Sequence, residues 1–122
     1  MNTIKLISIF GKTISEPNRL RLIMLLQNGE VCVCHLISIL KLSPSTTSQH
    51  LSVLKKNGFI KARKEGTWIY YEAAFDQKLI KPLFDYIQCP LKIDNVIQSD
   101  YQKLQELLKG ESSCKNPLKK ES

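Results

Sequence analysis

The feature that most constrains this chain is a change of period at Gly58. Before it, VCHLISIL (residues 33 to 40) reads as a short helix, and SPSTTSQHLSVLKKNG reads as a second. Ser43 is placed to cap the second helix, Pro44 to occupy its first position and Gly58 to end it. Only Lys41, Leu42 and Ser43 join the two, which is the spacing of a helix-turn-helix. After Gly58 the pattern becomes that of strands. FIKARKEGTWIYYE has β-branched and aromatic residues on both sides of Glu65-Gly66-Thr67, as in a hairpin that turns at the glycine. A helix-turn-helix followed by a hairpin is a winged helix-turn-helix, a mainly α fold with a small β-hairpin.

The flanking segments are helical too. TIKLISIFGKTI puts Ile4, Ile7 and Phe10 on one face and is a candidate interface element. SEPNRLRLIMLLQNGE offers Ser15 as cap, Pro17 in the first turn and Gly29 as stop. Beyond the hairpin, QKLIKPLFDYIQ predicts a helix that Pro82 either starts or kinks and that Cys89-Pro90 closes. In DNVIQSDYQKLQELLKG, Ile97, Tyr101, Leu104 and Leu108 form one apolar stripe, which needs a second chain or the domain's own flank. Residues 1–110 therefore read as one DNA-binding and dimerisation domain, and residues 111–122 as a flexible polar tail carrying Cys114. At 122 residues the core is modest, and pairing into a homodimer is the expected route to added stability.

Charge points to the partner. The chain carries +7, and residues 41 to 71 hold Lys41, Lys55, Lys56, Lys61, Arg63 and Lys64 against Glu65 alone. The excess thus lies on the helix-turn-helix and wing, which suits double-stranded DNA. Within the second helix, Leu51 and Leu54 face the core. Ser45, Thr46, Ser48, Gln49 and His50 remain near the exposed amino-terminal half, where short polar side chains can meet base edges or phosphates. Lys64 and Thr67 flank the wing tip and are candidate backbone contacts. An ordinary solvated helix face is the competing reading, and the location of the charge decides against it. MNTIKLISIF lacks a leader's long apolar run and cleavage site, and no stretch approaches the ~20 apolar residues of a membrane span. The expectation is a cytoplasmic protein with no membrane partner.

The four cysteines raise a separate question. Cys32, Cys34, Cys89 and Cys114 are spread over a chain that has a core without them, so metal binding, reactivity or simple burial are the readings to weigh. Side chains at i and i+2 in a regular helix point roughly 200° apart. If Cys32 instead occupies the non-helical cap and Cys34 the first turn, their sulfurs can converge, and the unpaired amides there favour thiolates.

The run from Glu30 to Glu72, EVCVCHLISILKLSPSTTSQHLSVLKKNGFIKARKEGTWIYYE, together with SEPNRLRLIMLL, resembles the ArsR family of winged-helix metalloregulators over about half of the chain. Cys-Val-Cys at the start of the third helix resembles the family's arsenic-sensing branch. The resemblance implies a homodimeric repressor, not an enzyme, with no permanent cofactor. It would bind an operator when unliganded and leave it when As(III) or Sb(III) binds the cysteines. Ligand softness also admits Cd(II) or Pb(II).

Two positions depart from that branch: the place of a third cysteine one turn on is Ile37, and position 35, often acidic in relatives, is His35. The third ligand then falls to Cys89, to Cys114 or to a small thiol, or is absent. Cys89 is favoured, because it adjoins a proline in a segment that must fold back onto the domain or its partner, and Cys32, Cys34 and Cys89 are the candidate metal residues. His35 is expected to face solvent. Only His35 and His50 exist and neither lies on the last helix, so the zinc site of the family's zinc-sensing branch is not expected. Redox or persulfide sensing by the same cysteines is the alternative. A thiol oxidoreductase would need Cys-x-x-Cys beside a βαβ unit, and neither is present.

Overall fold

The computed structural model describes residues 2–76 and 78–110. Cys114 and the expected tail lie outside the described residues. The order of elements is α1 (Thr3–Ile14), α2 (Pro17–Leu25), β1 (Val31–Cys32), α3 (Val33–Leu40), α4 (Pro44–Lys56), β2 (Ile60–Glu65), β3 (Trp68–Ala73), α5 (Ile80–Lys92) and α6 (Asn95–Lys109). It is a winged helix-turn-helix, α3 and α4 with the β2–β3 wing, flanked by α1 and α2 before it and α5 and α6 after it.

Local chemistry sets most boundaries. Ser43 accepts the Thr46 N–H at 3.1 Å and caps α4, with Pro44 in the first turn. At the other end Gly58 takes φ 79°, a left-handed conformation costly for residues with a Cβ. The Phe59 N–H then donates back to Leu54 O at 2.9 Å, closing α4 with the bond of a Schellman motif. Gly66, at φ 64°, opens the tight turn that pairs Glu65 with Trp68. Lys41 (φ 57°) turns the chain between α3 and α4.

Several expectations need correction. Ser15 closes α1 rather than capping α2. Glu16 takes the cap because Pro17 holds it extended, and its carboxylate accepts from Asn18 and Arg19 N–H at 2.7 and 3.2 Å. Helix α2 ends at Leu25, ahead of Gly29. Cys89-Pro90 does not close α5, which continues through Pro90 to Lys92. The proline removes the N–H that would reach Tyr86 O, and Tyr86 is an exposed residue, where water can substitute. Pro82 sits in the first turn of α5, where the missing N–H has no intrahelical acceptor. The hairpin has also gained a third strand: β1 pairs antiparallel with β3, giving the order β1-β3-β2, with Cys32 opposite Tyr70. Two residues are too few to show an alternating pattern.

The core is built on Leu22 to Leu26 of α2, with Leu36, Ile39, Leu51, Leu54, Phe59 and Phe84. Phe10 stacks on Phe59 (centroids 5.9 Å apart), so the α1 face divides, with Phe10 inside and Ile4 and Ile7 outside. Helix α6 lies on its own domain's flank, against α2 and α3, burying Ile97 and Leu104, while Leu108 leaves the expected stripe and is exposed. Asp100 is buried there as well, and both its oxygens accept from the Arg21 guanidinium at 2.9 Å. Among the described residues no helix is long and apolar enough to cross a membrane.

Candidate nucleic-acid interface and thiol pair

Leu51 and Leu54 seat α4 in the core with Thr47, which leaves Ser45, Ser48 and Gln49 exposed and Thr46 half-buried on the outer face. Thr46 is tied to the cap, its hydroxyl accepting from Ser43 Oγ at 2.9 Å. His50 points elsewhere. It is half-buried, with Nδ1 3.5 Å from Arg19 Nη1 and Nε2 3.8 Å from Glu16 Oε1, so it braces α4 against the start of α2. Of the five helix positions expected to meet DNA, Ser45, Ser48 and Gln49 are the open ones.

On the wing, Lys64 and Thr67 are exposed beside the Gly66 turn, as expected. The positive charge is less free than the sequence count suggests. Glu30 and Glu72, outside the counted window, come to the sheet. Arg63 donates to Glu30 at 2.7 and 2.9 Å and to Glu65 at 2.6 Å, and lies over the Tyr70 ring, while Lys61 is 3.8 Å from Glu72. The hydrogen bonds from Arg63 hold the Glu30 carboxyl below its usual range. Among the described residues Lys41, Lys55, Lys56 and Lys64 form no ion pair. Arg19, from α2, joins this face through the packing of α2 on α4. It lies outside the counted stretch, so sequence reasoning did not find it.

The two cysteines meet as the cap argument predicts. Cys32 is the extended cap residue (φ −69°, ψ 141°), Cys34 lies in the first turn of α3, and their sulfurs are 3.3 Å apart. Cys32 is buried. Burial pushes its thiol above the ordinary cysteine range, outweighing the backbone N–H groups of Cys34 and His35 that pull the other way. The expected preference for thiolate is therefore reversed at Cys32. Cys34 is disulfide-bonded, while Cys32 and Cys89 are free thiols. His35, expected to face solvent, is buried because α3 is covered by α4 and α6, and burial lowers its basicity. Cys89, expected as the third ligand, is exposed on α5 in an open groove with Asp85, Tyr86 and Pro90. Helix α5 runs on through Pro90, and within one chain Cys89 does not join the sulfur pair. Among the described residues no three His, Cys, Asp or Glu side chains of one chain gather as a metal site.

A helix-turn-helix with an open polar face, a β-hairpin wing with Lys64 free at its tip and a sulfur pair beside it defines a winged-helix DNA-binding regulator. Residues 16–62 match the model of the bacterial regulatory protein, arsR family. The chain is 48% identical over 67 residues to an uncharacterized HTH-type transcriptional regulator of Methanocaldococcus jannaschii, covering 54% of this chain and 75% of that one. It is 41% identical to the cadmium resistance transcriptional regulatory protein CadC of Listeria innocua, over 53% of this chain and 56% of that protein. With the arsenical resistance operon repressor of Escherichia coli the identity is 38%, over 49% and 52%. The chain thus spans only about half the length of the last two. Among solved structures it is similar to a homodimeric winged helix-turn-helix DNA-binding domain of Mycobacterium bovis, with TM-score 0.62, 29% identity, and 73% and 81% of the chains covered. This chain belongs to the ArsR family, whose members regulate transcription and are not enzymes.

Proposed function

We propose that the protein is a homodimeric repressor that holds its operator through α4 and the wing and is released when a soft metalloid or metal, As(III) or Sb(III) first and Cd(II) or Pb(II) next, binds Cys32 and Cys34. The observation that carries this reading is the 3.3 Å approach of the two sulfurs at the junction of β1 and α3. Two sulfur donors select soft acceptors. The reading concerns the reduced protein, in which both are thiols. As(OH)3 then exchanges two hydroxides for two thiolates, the thiol protons leaving with the hydroxides as water. One hydroxide remains on arsenic unless a small thiol or Cys89 of a second chain replaces it.

The position of the pair suggests how binding is felt. Cys34 opens α3, which is joined to α4 by three residues, and Cys32 is paired with Tyr70 of the wing. Drawing the sulfurs onto one ion reshapes both the first turn of α3 and the short β1–β3 ladder, so each DNA-binding element lies one covalent or hydrogen-bonded step from the ion. Ile4 and Ile7 on α1, with Leu79 at the cap of α5 and Tyr86 on α5, which packs beside α1, expose an apolar surface suited to a second copy.

Gln49→Ala should cost about 1 to 3 kcal/mol on the operator and relax specificity at one base pair, as loss of a bidentate base contact does. Lys64→Ala should weaken operator and random DNA alike and reduce the salt slope by about one unit. Equal loss on both DNAs for Gln49→Ala, measured by anisotropy titration, would remove its reading role.

The raised Cys32 thiol gives a pH test of the ligand chemistry. Cd(II) must displace a proton from Cys32 at neutral pH, so its affinity should climb roughly tenfold per pH unit for each proton released, until pH passes the raised value. Arsenite binding, which returns those protons as water, should stay nearly level over the same range. A level Cd(II) profile in calorimetric titrations would exclude Cys32 as a ligand.

The 3.3 Å separation of the two sulfurs also favours a second reading, redox sensing. Joining two thiols as a disulfide releases two protons and passes two electrons to an oxidant such as peroxide. Thiol labelling of reduced protein after arsenite and after peroxide separates the two. Under the redox reading, reductant restores labelling and DNA binding after peroxide, and arsenite leaves both unchanged.

A further inference from the structure

We infer that Arg19 of α2 forms, with Ser48 and Ser52 along one side of α4, a seat for a backbone phosphate of duplex DNA. The inference rests on the DNA-binding reading. A cleft of about 420 Å³ opens between the start of α2 and the outer face of α4, lined by Arg19, Ser48, Gln49, His50, Ser52 and Val53. The guanidinium at its edge is fixed in place. Nε donates to Thr13 O at 2.6 Å, Nη2 to Lys12 O at 3.0 Å, and Nη1 lies 3.5 Å from His50 Nδ1.

Two of the three partners are backbone carbonyls and the third is a ring nitrogen, and among the described residues Arg19 forms no ion pair. Arg63, by contrast, is held by two carboxylates and Arg21 by one. A guanidinium has five N–H groups, and these partners engage three, leaving two donors and a whole positive charge toward the cleft. The nearby carboxylate, Glu16, is turned onto the amides of Asn18 and Arg19, which also makes the guanidinium rather than the α2 amides the anion donor.

The opposite wall has matching chemistry. Ser48 and Ser52 are exposed and one turn apart on α4, so their hydroxyls rise along the same side of the cleft, with Lys56 a turn further on. An anion between them meets a fixed fork and two hydroxyl donors. A helix whose exposed face enters the major groove has a phosphodiester strand along each side, and the cleft runs along one side of α4. The ligand is therefore a phosphodiester, and Arg19 positions the helix without reading sequence.

The test uses the reduced full chain and a random-sequence duplex of ~21 base pairs, two helical turns, titrated by fluorescence anisotropy over a range of salt. Arg19→Gln retains an amide that can still donate to the Thr13 and Lys12 carbonyls but lacks the charge. It should weaken binding roughly tenfold per chain and lower the log–log salt slope by about one unit per chain, with thermal unfolding little changed. Ser48→Ala/Ser52→Ala, at exposed positions that cannot unfold the domain, should weaken binding severalfold. Added to Arg19→Gln it should cost much less than alone, because all three groups hold one phosphate.

An unchanged salt slope in Arg19→Gln, or full additivity with the serine pair, would overturn the seat. So would affinity loss that tracks loss of folded protein. Tight binding of inorganic phosphate by the wild type, abolished in Arg19→Gln, would reassign the cleft to a small anion and overturn the DNA assignment. A wild type that does not bind the duplex at all would instead remove the DNA-binding reading itself.

Discussion

Asp100→Ala is expected to destabilise the domain by about 3 kcal/mol, seen as a lower urea midpoint with an unchanged slope. Both oxygens of the buried Asp100 carboxylate accept from the Arg21 guanidinium at 2.9 Å, and these hydrogen bonds to Asp100 hold the guanidinium's basicity above its ordinary value. Removing one partner leaves a charge, four-fifths shielded from water in the side chain of Arg21, without compensation, and such losses run to about 3 to 5 kcal/mol. The pair also fastens α6 to α2, so hydrogen exchange in α6 should rise before that of α4. Arg21→Met with Asp100→Leu should restore most of the stability, since two apolar side chains of similar volume avoid the desolvation cost. A loss below about 1 kcal/mol would mean that water screens the pair as it does a surface bridge.

The largest functional effect belongs to the sulfurs. With Cys32→Ser and Cys34→Ser together, the reduced protein should keep operator affinity within a few-fold and lose release by arsenite. For the wild type, a ~100-fold preference of the ion for the DNA-incompetent state corresponds to about 2.7 kcal/mol of coupling, within the usual range for linked sites. Each single variant should lose most of that coupling, because one thiolate cannot chelate. X-ray absorption at the arsenic edge should find two protein sulfurs in the wild type and the same number in Cys89→Ser. Normal release from the double variant would place the sensor elsewhere, and three sulfurs in the wild type falling to two in Cys89→Ser would restore Cys89 as a ligand. Because Cys32 is buried under the β1–β3 pairing, Cys32→Ser should also reduce stability slightly, whereas Cys34→Ser, at a half-buried position, should not.

How much of this was legible before the structure can be traced residue by residue. Turn and cap chemistry is local, so Ser43, Pro44, Gly58 and Gly66 marked the ends of α4 and the wing from sequence alone, and the cap position of Cys32 followed from the same rules. Where two local signals compete, tertiary context decides. Ser15 and Glu16 could each have capped α2, and Pro17 selected Glu16; Pro90 could have ended α5, but the helix carried on past it at an exposed turn. Strand β1 was invisible because two residues have no periodicity, and only pairing with Tyr70 and Tyr71 makes Val31–Cys32 a strand.

Charge and burial depend on what comes near from far along the chain. The six cations counted between residues 41 and 71 fall on the helix-turn-helix and wing, yet Glu30 and Glu72 pair with two of them in space, and Arg19 enters from another helix. His35 and His50 each read as surface residues on their own helices. The packing of α6 over α3 buries the first, and the α1–α2 corner engages the second. Cys32 and Cys34 converge because a cap is a local structure, whereas Cys89 belongs to another helix whose path no short-range rule could fix. The sequence by itself determined the elements, their caps, the basic helix-turn-helix and the meeting of two sulfurs, since those depend on interactions within a few residues. The tertiary structure alone decided which charges stay free, which histidines are buried and that the third cysteine of the described chain stands apart, since those depend on groups separated by tens of residues and brought together only by the core.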